Sequence, residues 1–134
     1  DSALRPVEWE SPQAWCRGIV DVGVLTGKRG VLLDWKTGKR KPDSDQLMLF
    51  AALAFAHFPE LETVTTGFIW LKDGLIDREQ YTRADSSAIW QQFLPRVTRL
   101  YRAYEDGRFL PRPSGLCRKW CPVPHALCEF SGLT

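Results

Sequence analysis

Residues 19–35, with the sequence IVDVGVL-TGKRG-VLLDW, decide the fold. Two runs rich in β-branched residues flank a loop that carries two glycines, which is the pattern of a β-hairpin. If the hairpin closes with Thr26 paired to Arg29, its register places Asp21 directly opposite Asp34. The hairpin therefore brings two acidic residues together.

The rest of the chain alternates between helical and strand patterns. An almost wholly apolar stretch that ends near His57 predicts a buried helix, begun by the cluster Asp43-Ser44-Asp45. Residues 63–71 and 75–82 predict a second hairpin, and the spacing of apolar residues over 86–105 predicts an amphipathic helix that stops at Gly107. The expected fold class is α/β, with a mixed central β-sheet flanked by helices.

The composition of the chain limits the classes of protein to which it can belong. The chain has 134 residues, of which 44% are hydrophobic, enough for one globular core. Its longest apolar run, residues 47–56, is about half of the roughly 20 residues needed to cross a bilayer. We therefore expect no membrane partner, and the lack of a signal-peptide pattern predicts a cytoplasmic location. The net charge of +2 does not by itself indicate a nucleic-acid partner. Evidence for such a partner therefore has to come from local clusters of charged residues.

The domain organisation follows from the same patterns. Residues 1–110 are predicted to form the core, and residues 111–134 a Cys- and Pro-rich tail packed on that core. The chain begins at Asp1 without an initiator Met, which predicts a fragment or processed product whose N-terminal part is missing.

The chemistry is concentrated at the end of the first hairpin. Side chains alternate along a strand, so Asp34 and Lys36 share one face while Trp35 points into the opposite layer. Opposed carboxylates at positions 21 and 34 repel each other unless a cation lies between them. Mg²⁺ suits such a site, because it binds hard oxygen ligands and leaves room for water and phosphate. The predicted reaction is metal-dependent phosphodiester hydrolysis.

Neighbouring residues complete the predicted site. Lys36 is placed to orient or deprotonate a water, or to neutralise charge on the phosphoryl group. Gln46, on the first turn of the buried helix, is placed to form hydrogen bonds with the site. The basic run Lys39, Arg40 and Lys41 follows the strand, where we expect the DNA backbone to pass.

Three motifs in this order resemble the PD-(D/E)xK nuclease superfamily. They are Gly18-Ile19-Val20-Asp21, then Asp34-Trp35-Lys36-Thr37-Gly38, then Gln46-Leu47. The resemblance is to the RecB-like branch, which includes phage-type exonucleases and CRISPR-associated nucleases. It implies a restriction-endonuclease-like core and a metal-dependent deoxyribonuclease, with an exonuclease of the recombination and repair type as the expected activity.

The resemblance also implies roles for single residues. Asp21 and Asp34 would bind Mg²⁺ or Mn²⁺, helped by the backbone carbonyl of Trp35. Lys36 matches the catalytic lysine and Gln46 the glutamine on the helix. Phe50 stands where this branch usually has Tyr. The alternative interpretation is a non-catalytic module that binds single- or double-stranded nucleic acid, or a subunit that needs an oligomer or a partner for activity.

The tail carries a second candidate metal site. Cys117, Cys121, His125 and Cys128 lie within twelve residues and are suitable ligands for Zn²⁺. The group loosely resembles the C-terminal cysteines of RecB-like nucleases that hold an iron-sulfur cluster. Free or partly buried thiols remain an equal alternative.

Overall fold

The computed structural model describes residues 1, 3–41 and 45–132. It divides into two compact units, Asp1–Pro95 and Arg96–Thr134. The first unit holds a four-stranded sheet in the order β1-β2-β3-β4. The elements in chain order are β1 (Val22–Thr26), β2 (Arg29–Lys36), α1 (Asp45–His57), β3 (Thr63–Trp70), β4 (Leu75–Thr82), a 3₁₀ turn (Arg83–Asp85), α2 (Ser86–Glu105) and α3 (Gly115–Lys119).

The predicted hairpin and its register are confirmed. Val22 pairs with Leu33 and Thr26 with Arg29, in an antiparallel ladder. The strand begins at Val22 rather than at residue 19, so Asp21 is the next residue beyond the last pair, opposite Asp34. β2 then pairs in parallel with β3, and β3 pairs antiparallel with β4. The predicted mixed sheet is confirmed.

Helix α1 lies between the sheet and α2. On one side its Phe50 and Phe55 pack with Leu32 and Val64 from the sheet. On the other side Ala52 packs with apolar residues of the first half of α2, namely Ile89, Trp90 and Phe93. Burial on both sides therefore explains why α1 is almost wholly apolar. It begins at Asp45, and the predicted start signals Asp43 and Ser44 lie outside the described residues.

The opposite face of the sheet carries exposed apolar side chains. Trp35 is 45% exposed there, together with Val24, Val31 and Ile76. The sequence correctly places Trp35 on the face away from Lys36, but in the described residues this face is open to solvent and does not form a core.

The second unit is short and held by local hydrogen bonds. The Ser114 hydroxyl caps α3 by accepting a hydrogen bond from the Leu116 backbone N–H. Further along, the Gly132 N–H donates to the Cys117 carbonyl and closes the tail on itself. Within the described part of the chain, no helix has the length and apolar character to span a membrane.

Candidate active site

Asp34 and Lys36 lie near the C-terminal end of β2, on the face covered by α1. The Lys36 Nζ is 2.7 Å from the Asp34 Oδ2. The side chains of Asp34 and Lys36 are 12% and 28% exposed, respectively, so this ion pair is largely shielded from water. A shielded carboxylate and ammonium on one face form the centre of the predicted site, as their two-residue spacing requires.

Gln46 joins this pair from the first turn of α1. Its Oε1 accepts a hydrogen bond of 2.9 Å from the Lys36 Nζ, and its Nε2 donates one of 3.2 Å to the Asp34 Oδ1. The amide thus presents its oxygen to the cation and its nitrogen to the anion. We call these three residues the Asp34–Lys36–Gln46 cluster. The sequence predicts the shared face of Asp34 and Lys36 and a hydrogen bond from Gln46 to the site, and the structure adds the ion pair and both partners of the amide.

An aromatic ring lies close to the ammonium group of Lys36. Its Nζ lies 4.6 Å from the centroid of the Phe68 ring, a distance at which the ring quadrupole stabilises a cation. Phe68 in turn packs edge-to-face against Trp70, with 5.8 Å between ring centroids. Neither aromatic is identified by the sequence motifs, because their position beside Lys36 depends on the parallel pairing of β2 with β3.

Asp21 reaches the same end of β2 from the other strand of the hairpin. Its Oδ2 accepts a hydrogen bond of 2.8 Å from the backbone N–H of Trp35. The Asp21 carboxylate thereby continues the ladder one step beyond the last backbone pair of β1. Asp21 is exposed and Asp34 is buried, so the two predicted metal ligands lie in different environments.

The basic residues after β2 do not behave alike. Lys39 and Lys41 are exposed. Arg40, in contrast, forms a bidentate ion pair with Asp77 on β4, where its Nε lies 2.8 Å from Oδ2 and 3.0 Å from Oδ1. Hydrogen bonding to this guanidinium lowers the pKa of the Asp77 carboxyl, against the opposing effect of burial, and a bond from the Trp70 indole lowers it further.

The comparison with known families shows which superfamily the chain belongs to. The sequence profile of the PD-(D/E)XK nuclease superfamily matches residues 1–129. The chain belongs to the PD-(D/E)XK nuclease superfamily. No curated protein and no solved structure matches the chain. The match to the superfamily covers almost the whole sequence.

The four candidate ligands of the cysteine tail are not gathered into a metal-binding group in the part of the chain that the structure describes. Nowhere in the described residues do three or more His, Cys, Asp or Glu side chains come together in a way that could hold a metal ion. Cys117, Cys121 and Cys128 are half-buried free thiols. The His125 Nδ1 lies 3.0 Å from the Ser131 carbonyl oxygen. The Zn²⁺ or iron-sulfur assignment for the tail therefore stays a prediction.

A cavity of about 570 Å³ lies between the N-terminal segment and α1. Its lining includes Trp15, Cys16, Phe50 and Trp90, and none of Asp21, Asp34, Lys36 and Gln46. Burial raises the pKa of the Cys16 thiol and keeps it in its neutral form. The cavity thus does not include the four predicted active-site residues.

Proposed function

We propose that this chain is a Mg²⁺- or Mn²⁺-dependent deoxyribonuclease, with Asp21, Asp34, Lys36 and Gln46 as its active-site residues. The Asp34–Lys36–Gln46 cluster is the observation that carries the proposal. An ion pair in this shielded position has a desolvation cost, and a hydrophobic pair of similar volume would often be as stable. A shielded pair that adds little stability, next to the Trp35 N–H that the Asp21 carboxylate binds, favours a role in catalysis.

The donor set suits a hard divalent cation. Asp21, directly before β1, and Asp34, on β2, supply carboxylate oxygens, and one or two carboxylates are what a Mg²⁺ site usually takes from a protein. The N–H and C=O of one strand residue face the same side, so the Trp35 carbonyl faces the edge to which its N–H donates. Because β1 does not extend to this point, no strand of the described chain pairs with the Trp35 carbonyl there, which supports it as the third proposed ligand.

The chain's own residues have separate roles in this proposal. Asp34 and Asp21 would hold the cation, which when bound polarises a phosphate and makes a water more acidic. The Lys36 ammonium would be displaced from the Asp34 carboxylate by a cation held there, and it would stay beside the Gln46 Oε1 and the Phe68 ring. From there it orients the attacking water or neutralises charge on the phosphoryl oxygens. Gln46 fixes the position of the Lys36 ammonium.

A cleavage assay with matched controls tests the proposal. Fluorescent single- and double-stranded DNA is incubated with Mg²⁺, Mn²⁺ or EDTA, and with Asp34→Asn and Lys36→Met. We expect metal-dependent cutting that each substitution lowers by about 10²-fold or more. Lys72→Met and Asp73→Asn remove the same charges in the β3–β4 turn and serve as controls. Equal cutting by Asp34→Asn, Lys36→Met and the wild type would overturn the catalytic assignment.

We further propose an exonuclease of the recombination and repair type, active in the cytoplasm of a bacterial or phage-infected cell. The support is the resemblance of the Asp21, Asp34-x-Lys36 and Gln46 motifs to RecB-like nucleases. Linear and covalently closed circular DNA of the same sequence distinguish the activities. An exonuclease degrades the linear form alone, whereas cutting of the closed circle would identify an endonuclease.

A further inference from the structure

A row of three residues crosses the sheet from the candidate site to its far edge. Asp34 on β2 pairs with Phe68 on β3, and Phe68 pairs with Asp77 on β4. Paired residues of adjacent strands point to the same face, and strands lie about 4.8 Å apart. Asp77 therefore lies about 10 Å from Asp34, on the same face of the sheet.

Asp77 connects this row to the loop after β2 by binding Arg40. Both of its oxygens accept hydrogen bonds from Arg40, through Nε and Nη2. Its Oδ2 also accepts one of 2.8 Å from the Nε1 of the buried Trp70. The indole is itself held against Phe68, the ring beneath Lys36. Asp77 is thus fixed by the same aromatic pair that supports the catalytic lysine.

We propose that Asp77 is a positioning residue of the nuclease site: through Arg40 it holds the loop after β2 so that Lys39 and Lys41 meet the DNA backbone. This inference rests on the proposed function. It also changes the role of Arg40 within the basic run. The charge of Arg40 is already neutralised by Asp77, so Arg40 serves as the anchor and the two flanking lysines as the phosphate contacts.

Two other roles for the Asp77–Arg40 pair lead to different expectations. If Arg40 bound phosphate itself, Asp77 would compete with the DNA, and its removal would strengthen binding. If Asp77 served only to keep the edge strand β4 from pairing with other chains, its removal would leave DNA binding unchanged. The positioning role alone predicts weaker binding when a negative charge is removed near the DNA.

The test uses Asp77→Asn and compares KM with kcat for cleavage of a labelled DNA. Loss of the anchor frees two lysine side chains that must be ordered again on binding. We expect KM to rise about tenfold, with kcat within about twofold of the wild type. The matched control is Asp73→Asn, which removes a carboxylate from the β3–β4 turn without a hydrogen bond to Arg40. In the control KM should stay equal or fall slightly, because repulsion of the DNA is reduced.

A second variant and a second measurement distinguish loss of the Arg40–Asp77 contact from misfolding of Asp77→Asn. Arg40→Met breaks the same link from the loop side, and its effect on KM should not add to that of Asp77→Asn. In limited trypsin digestion, both variants should be cut faster than the wild type at the bond after Lys39, without any DNA present.

The outcomes separate the inference from the proposed function. If the wild type cuts DNA and Asp77→Asn has an unchanged or lower KM, the positioning role is wrong while the nuclease assignment stands. Additive effects of the two variants would likewise overturn the link between Arg40 and Asp77. If the wild type neither cuts nor binds DNA, the proposed function fails and the inference fails with it.

Discussion

Replacing Lys36 by Met removes the ammonium beside Asp34 and keeps most of the aliphatic side chain. The pair is separated by 2.7 Å, and its side chains are 28% and 12% exposed. Removing one member of a fully buried ion pair costs about 3–5 kcal/mol, whereas an exposed pair contributes at most about 1 kcal/mol. For this intermediate burial we expect a loss of about 2 kcal/mol, which lowers Tm by about 8 °C.

The same variant tests where a divalent cation binds. In the wild type a cation must displace the Lys36 ammonium from the Asp34 carboxylate, but in Lys36→Met it does not. With about 10 mM Mg²⁺ and a Kd of about 1 mM, binding adds about 1.4 kcal/mol of stability. We therefore expect Mg²⁺ to raise the Tm of Lys36→Met by several degrees and that of the wild type by less.

Thermal melts followed by circular dichroism, with and without Mg²⁺, provide the measurement. The double variant Asp34→Asn/Lys36→Met removes both charges, so it should regain part of the lost stability and show no Mg²⁺ effect. Lys72→Met controls for the loss of one positive charge. The reasoning is refuted if Lys36→Met melts like the wild type, or if Mg²⁺ stabilises the double variant as much as the single one.

Three further predictions concern the sheet that carries the site. The buried hydroxyl of Thr66 has no hydrogen-bond partner among the described residues, so Thr66→Val should raise stability by about 1 kcal/mol in urea denaturation; a loss of stability would contradict this. A Cβ at Gly67 would lie 2.9 Å from the Asp77 backbone oxygen, so Gly67→Ala should lower stability by about 1–2 kcal/mol in the same assay, and a neutral effect would show that β4 yields easily. The pKa of Asp77 is lower in the folded protein than its ordinary value near 4, so its contribution to stability is present above that pH and lost as pH falls through the folded value. Between pH 5 and pH 3 the wild type should therefore lose more stability than Asp77→Asn, and equal losses would exclude this linkage.

Local patterns were sufficient to predict the hairpin and the cluster at its end. Turn length set the register that pairs Val22 with Leu33, and alternation along β2 placed Asp34 and Lys36 on one face. The position of Gln46 on the first turn of the next helix was enough to predict hydrogen bonds to the site, and the structure identifies Lys36 and Asp34 as the partners. These contacts join residues close in sequence, where strand and helix geometry leaves few alternatives.

Contacts made across the sheet could not be predicted in the same way. Phe68, Trp70 and Asp77 reach the site because β3 pairs in parallel with β2, and no local pattern specifies which strands become neighbours. One signal was available on β4, where the acidic Asp77 faces inward and the apolar Ile76 faces solvent. This reversal of the usual pattern indicates a specific partner for the inward acid, which the structure identifies as Arg40.

Asp21 also has a contact that its motif does not predict. The register predicts Asp21 opposite Asp34, but β1 begins only at Val22, and the Asp21 carboxylate instead takes a ladder position and accepts the Trp35 N–H. The ending of a strand depends on the neighbouring backbone, which single-sequence patterns describe poorly.

Binding of Mn²⁺ to the DNA-free protein, followed by electron paramagnetic resonance, tests the central claim most directly. Asn substitutions are suitable because the amide oxygen at position 21 can still accept the Trp35 N–H while the charge is lost. The proposed site predicts bound Mn²⁺ in the wild type and weakened binding in both Asp21→Asn and Asp34→Asn. Unchanged Mn²⁺ binding in both variants would contradict the assignment of these two carboxylates as the metal ligands.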